Sequence, residues 1–160
     1  MKLALFNIFL LITTISHAGD KIDDQTVFIS EEDKAMNSAI LKARSTLDNF
    51  FEIAKEPSNG ATDFKLKVMV SDENGVEHLW FSPFKKVEGG YAGVLVNEPI
   101  IVTSLTFGKV YGFRESEITD WGYVQDGKQI GSFTICVLFK SMDISTVNQY
   151  KKDHGFICNS

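Results

Sequence analysis

One dipeptide, Asp126-Gly127, restricts what this chain can fold into more than any other feature. It lies between two runs rich in β-branched and aromatic residues, Ile118 to Gln125 and Lys128 to Phe139. A two-residue type I′ turn needs positive φ at both central residues, which Gly adopts freely and Asp tolerates, so the stretch predicts a β-hairpin. That turn sets Gln125 opposite Lys128, Tyr123 opposite Ile130 and Trp121 opposite Ser132. Trp121, Tyr123 and Ile130 then share one face, and Phe133, Ile135, Val137 and Phe139 alternate onto the other. The hairpin implies a sheet with two usable faces.

The remaining elements arrange themselves around it. Ser30 is placed to cap a helix, with Glu31, Glu32 and Asp33 at the positive end of its dipole. Met36, Ile40, Ala43, Leu47, Phe50 or Phe51, and Ala54 follow at spacings of three and four, which makes one apolar stripe. Pro57-Ser-Asn-Gly60 stops the helix after about 25 residues, or about 37 Å. Phe64 to Val70 alternates, with Phe64, Leu66, Val68 and Val70 on the face expected to receive the stripe. Asn74-Gly75 is a second turn signal, and a two-residue turn there pairs Val70 with Leu79 and Val68 with Phe81. The same register puts Trp80 opposite Met69 and His78 opposite Ser71, on the face of Lys65 and Lys67.

Tyr91 to Val96 reads as a third strand ended by Asn97-Glu98-Pro99, because Pro cannot donate to a ladder. Short runs at 100 to 107 and 109 to 113 flank Gly108, and a short helix from Ile144 to Lys152 stops at Gly155. The order predicts an α+β fold. In it, a long N-terminal helix packs on one face of a twisted, mostly antiparallel sheet of four to six strands, and a short C-terminal helix follows.

At the N-terminus, Lys2 precedes an apolar run from Leu3 to Ile15, and Ser16-His17-Ala18 supplies small residues three and one before a cut. This pattern predicts a secretory signal peptide over 1–18 and export to the periplasm or beyond it. The run is shorter than the roughly 20 apolar residues of a membrane span. Residues 19–160 are then expected to form one domain, with a core over about 33–138 and an extension over 139–160. The expected mature chain carries 15 Lys and Arg against 21 Asp and Glu, a net charge of −6, with no basic stripe. Nucleic acid, whose affinity rests on phosphate neutralisation, is excluded as an expected partner. Two Cys in an exported chain, Cys136 and Cys158, suggest a disulfide tying the tail to the sheet. Closing a loop of about 20 residues contributes about 3 kcal/mol in the loop-entropy model. The alternative is a buried Cys136 and a free Cys158.

Candidate chemistry is sparse. His78 and His154 are far apart in sequence, and no metal-ligand spacing or phosphate loop is present, so no cofactor or metal is expected. Glu115, Glu117 and Asp120 offer either acid-base groups or oxygen ligands for a hard cation, against the reading of a solvated acidic turn. A Cys-His nucleophile competes with the disulfide for the same sulfurs. Trp80, Trp121 and Tyr123, with His78 and Asp120, form the candidate binding set. Either they make an exposed patch for a protein or peptide of the envelope, or they close a second small core. Two function classes follow: a non-enzymatic binding or inhibitor-type module, and a small periplasmic hydrolase using Asp120 and His78.

Four stretches carry a family resemblance: Met36-Asn-x-Ala-Ile-x-x-Ala-Arg44-x-Thr-Leu47, Glu77-His-x-Trp80, Gly93-Val-Leu-Val-Asn-Glu-Pro99, and Ile118-x-Asp-Trp-x-Tyr-Val-x-Asp-Gly127-x-x-x-Gly131. In this order they resemble the YegJ-like family of bacterial proteins, a domain of unknown function. The resemblance covers about residues 33 to 138 and implies a compact single domain, preceded in some members by a signal peptide. It carries no activity over to this chain. The tail after Phe139 lies beyond these motifs.

Overall fold

Thr46 breaks the helix that the apolar stripe predicts to be continuous. The computed structural model describes residues 31–57 and 60–158, and in it the stripe is divided between α1 (Glu31–Ser45) and α2 (Leu47–Lys55). Three donors outside the regular helical ladder converge on the Ala43 carbonyl. The Thr46 N–H donates at 3.2 Å, the Thr46 hydroxyl at 3.2 Å, and the indole Nε1 of Trp121 at 2.9 Å. A side chain entering the ladder is a recognised cause of helix breaks, and this one also ties the break to the sheet. The single long helix is therefore corrected to two short ones. The signal peptide expected over 1–18, the lead-in before Ser30 and the Ser30 cap lie outside the described residues.

The sheet has six strands in the order β4-β3-β2-β1-β5-β6, all neighbours antiparallel. They are β1 (Thr62–Asp72), β2 (Gly75–Val87), β3 (Gly90–Leu95), β4 (Val110–Phe113), β5 (Ile118–Gln125) and β6 (Lys128–Gly131). The central hairpin has the expected register, Gln125 to Lys128 and Tyr123 to Ile130. Its second arm is shorter than expected. Ser132 turns into the left-handed region (φ 53°, ψ 41°) and the chain continues as α3 (Phe133–Leu138). The cause is Asp120 on β5, whose carboxylate accepts the backbone N–H groups of Phe133 and Thr134 at 3.2 and 2.8 Å. Those amides are held as the first turn of a helix, so Phe133, Ile135, Val137 and Phe139 do not alternate along a strand.

The first hairpin turns one residue earlier than its Asn-Gly signal predicts, which slips the pairing by two. Asp72 pairs with Gly75, Val68 with Leu79 and Leu66 with Phe81, which leaves Glu73-Asn74 as the turn. Trp80 thus faces Lys67, and His78 faces Met69. A slip of two keeps every side chain on its face, so the predicted core survives the correction. Asp72 fixes the slip by accepting the Asn74 N–H at 2.8 Å, a local turn that competes with the Asn-Gly turn.

Leu66, Val68, Leu79, Phe81, Leu95, Ile118, Trp121 and Tyr123 are buried beneath Ala43, Leu47 and Phe50. Phe50 sits at the centre, its ring centroid 5.0 Å from Trp121, 5.9 Å from Phe84 and 6.0 Å from Phe64.

α4 (Ile144–His154) is capped by Asp143, which accepts the Thr146 N–H, and ends on Gly155 at φ 70°. A Cβ at Gly155 would fall 2.0 Å from the Gly127 carbonyl oxygen, so the tail lies directly on the central turn. Cys136 and Cys158 are disulfide-bonded, with Cα atoms 5.3 Å apart. Between them, Phe156 bridges in parallel to Gln129, whose N–H donates to the Gly155 carbonyl. The disulfide thus holds the tail over the β6 edge. No helix among the described residues is long and apolar enough to cross a membrane.

The loop from Val96 to Lys109 hangs from two carboxylates. Glu77 accepts the N–H groups of Ile100, Ile101 and Val102, and Asp72 accepts those of Thr103 and Ser104. Removal from water pushes both carboxyls upward, but hydrogen bonds outweigh it: those from the Asn74 N–H and then from Ser104 and Thr103 hold Asp72 at about 2, and the loop N–H groups hold Glu77 below its ordinary range. A folded pKa below the unfolded one stabilises above the unfolded value, and that contribution is lost as pH falls through the folded value. Acidification from pH 5 toward pH 2 is therefore expected to reduce the hydrogen-exchange protection of the Ile100 to Ser104 amides before that of β1 and β5. A parallel decline in both regions would count against the tether.

Candidate functional site

The five residues expected to form a binding patch do not converge. Trp121 and Tyr123 are each 5% exposed and belong to the core face, where Trp121 stacks on Phe50 and meets Phe133 edge-on. This corrects the expectation that they share an open face with Trp80. The alternation of β5 directs them beneath the helices, and the Ala43 carbonyl fixes the indole there. Trp80 and His78 lie on the opposite face with Lys65, Lys67 and Met69. Trp80 is half-buried, with the Lys65 and Lys67 ammoniums 5.0 and 5.5 Å from its ring centroid.

His78 Nδ1 lies 2.9 Å from Thr119 Oγ1, and burial together with the Lys67 charge lowers its pKa, which favours the neutral ring. Asp120 is fully buried and its oxygens are occupied. They accept the N–H groups of Trp121, Phe133 and Thr134 and, at 2.6 Å, the Thr134 hydroxyl, which in turn accepts from Lys67 Nζ at 3.0 Å. Burial pushes the Asp120 carboxyl upward while the Thr134 bonds and Lys67 pull it back, and burial pushes Lys67 down against Asp120. This is a structural network joining β1, β5 and α3. His78 faces a threonine and not Asp120, so the acid-base pair of the hydrolase reading is not assembled.

A different site lies at the other end of the core face. The β1–β2 ladder ends at Leu66–Phe81, although both strands continue: β1 reaches back to Thr62 on β5, and β2 runs on to Val87 on β3. The sheet forks. Two irregularities accompany the fork, a register shift on β2 at Ser82-Pro83 and one on β1 around Asp63, which has φ 54°. Proline cannot donate to a ladder, and Ser82 spends its hydroxyl on the Phe64 carbonyl at 2.9 Å where a strand would offer an N–H.

Between the fork and α2 is a cleft of about 870 Å³, within the range of ligand-sized sites. Phe51, Phe64, Phe84 and Tyr91 give it aromatic walls, and Asp48, Glu52, Asp63, Glu115, Lys55, Lys85 and Lys86 bring charges of both signs to it. Tyr91 donates to Glu115 at 3.3 Å; burial, then the Glu115 charge, push its phenol up to about 12, so it remains a donor. Two signals in the sequence bear on this cleft. Asp48, Phe51, Glu52 and Lys55 lie at helical spacing beside the core stripe, and Pro83 interrupts an otherwise regular strand.

Residues 33–157 match the family described as "Uncharacterized protein conserved in bacteria (DUF2314)". The chain belongs to this family. The chain is 30% identical over 135 residues to the "Uncharacterized protein YegJ" of Escherichia coli (strain K12), covering 84% of this chain and 86% of that protein. It is also 31% identical over 122 residues to the "Putative ankyrin repeat protein NMB1133/NMB1171" of Neisseria meningitidis serogroup B, covering 71% of this chain but 48% of that one. No solved structure matches significantly. The DUF2314 match runs past residue 138, where the resemblance read from the motifs ends, and takes in α4 and the tail on the β6 edge. Among the described residues of this DUF2314 domain, no cluster of three or more His, Cys, Asp or Glu is arranged to hold a metal ion.

Proposed function

We propose that this protein is a non-catalytic binding module of the bacterial cell envelope, an inhibitor-type or immunity-type partner of another envelope protein or peptide, and that its binding site is the cleft beneath α2. The observation that carries this reading is the cleft itself: four aromatic side chains line a ligand-sized space that the core leaves open. Aromatic residues in partly open pockets are the usual anchors of protein interfaces. Support for export comes from the apolar N-terminal run and from a disulfide, a bond that persists in oxidising compartments.

The test is capture of a partner from envelope extract by the mature protein, compared with two variants. Ala54→Trp fills the cleft from α2, and Trp80→Ala alters the opposite face. A cleft-bound partner is expected to be held by Trp80→Ala and weakened at least about thirtyfold by Ala54→Trp, the equivalent of losing one anchor of about 2 kcal/mol. An unchanged melting temperature of Ala54→Trp shows that its fold is intact, and Lys85→Glu with Lys86→Glu provides a second, surface-charge variant. Equal capture by the filled and unfilled proteins would remove the cleft as the site.

A further inference from the structure

We infer that the cleft takes an extended peptide segment, which inserts as a strand into the fork between β1 and β2. This rests on the reading of the cleft as the binding site and names its ligand class. The first reason is backbone geometry. Between Thr62 and Lys65, β1 pairs with β5 at those two residues and meets β2 through the Ser82 hydroxyl alone, and from Phe84 to Val87, β2 keeps only β3. Each arm of the fork has therefore lost its ladder to the other and turns an edge toward the same cleft, where the Ser82 hydroxyl on the Phe64 carbonyl holds the place that an inserted backbone N–H would take. An unpaired strand edge presents N–H and C=O groups that a peptide backbone satisfies directly, the mode of strand addition.

Other edges of the sheet offer less. The tail already crosses the outer edge of β6 at Gln129. β4 is open, but it is four residues long and none of its residues lines the cleft.

The second reason is the side-chain chemistry. Among the described residues the ion pair formed is Arg114–Glu117, so the acids and lysines around the cleft are not neutralised by one another at contact distance. Asp48 and Glu52 approach from α2, and Lys85 and Lys86 from the β2 arm. A fatty acid brings one negative head group and leaves the acidic side unmatched. A peptide carries both charges along an extended backbone, and its alternate side chains reach Phe51, Phe64 and Phe84 on the covered face.

The insertion mode makes a specific demand on the ligand. A strand lying between two edges uses its odd N–H groups toward one arm and its even ones toward the other, whereas addition to one edge uses a single set. Random heptapeptides are selected on the mature protein and counter-selected on Ala54→Trp. The recovered peptide is then titrated into labelled protein beside two copies, N-methylated at the odd or at the even residues, with dodecanoate as a non-peptide probe. The expected result is that resonances of 62–65 and 82–86 move with the parent peptide, and that each methylated copy binds roughly thirtyfold more weakly, the loss of two or three hydrogen bonds. Binding unaffected by either methylation, or weakened by only one set, overturns insertion. Dodecanoate moving these resonances while no peptide does overturns the peptide inference and leaves the cleft a ligand site. Resonances that no probe moves, with a captured partner mapping elsewhere, overturn the cleft reading as well.

Discussion

Trp121→Ala is expected to lower the unfolding free energy by about 3–5 kcal/mol, the cost of truncating a fully packed aromatic side chain. Three losses coincide at this residue. The ring leaves a hole between Phe50 and Phe133, whose centroids lie 5.0 and 5.4 Å away. The Ala43 carbonyl loses a buried donor at 2.9 Å. The break between α1 and α2 loses the contact that anchors it to β5. A domain of this size loses a few degrees of melting temperature per kcal/mol, so a drop of about 10 °C or more is expected. Trp80→Ala, on a half-buried residue of the other face, is expected to cost about 1 kcal/mol or less. Urea unfolding of both variants tests this directly. Similar small losses in the two would show that Trp121 is not the core residue described here.

This contrast also shows where sequence reasoning reached and where it stopped. The alternation of Phe64 to Val70 and the Asp126-Gly127 turn were legible, because each depends on local periodicity and on the φ preferences of two residues. Even the wrong turn at Asn74-Gly75 placed the residues on the correct faces, because the slip is of two residues. Three features depended on contacts distant in sequence. Asp120 converts Phe133 and Thr134 from strand to helix across 13 and 14 residues, and Trp121 reaches Ala43 across 78. Neither contact leaves a periodic trace. The cleft is the third case, since it arises where pairing stops, and Pro83 marked that point without indicating that the strands beyond it diverge. The register alone placed His78 and Trp80 on the face of Lys65 and Lys67, whereas the candidate set grouped Asp120 with Trp121 and Tyr123, whose rings turn to the core face. The chemistry of Asp120 was not legible, because a buried Asp can serve as a structural acceptor as well as a catalytic group.

Asp120→Asn is expected to destabilise the fold by about 3–5 kcal/mol, although the substitution changes the side-chain volume little. All of the hydrogen bonds to this carboxylate come from donors: the N–H groups of Trp121, Phe133 and Thr134, and the Thr134 hydroxyl. An amide places an N–H₂ group among donors and removes the negative charge that balances Lys67, itself 7% exposed. A buried ammonium without a counter-charge is costly, so the loss is shared by both ends of the Lys67–Thr134–Asp120 chain. Lys67→Met removes that ammonium and supplies an apolar chain of similar length. In the Asp120→Asn background it is therefore expected to recover part of the stability, with a coupling energy of about 0.5–3 kcal/mol between the two sites. Loss of the α3 start also loosens Cys136 and, through its disulfide, the tail on β6, so protection of the Gln129 amide is expected to fall in Asp120→Asn and return in the double variant. Urea midpoints for the four proteins of this cycle decide the matter. Strictly additive losses would mean that Lys67 and Asp120 are buried side by side without acting as one network.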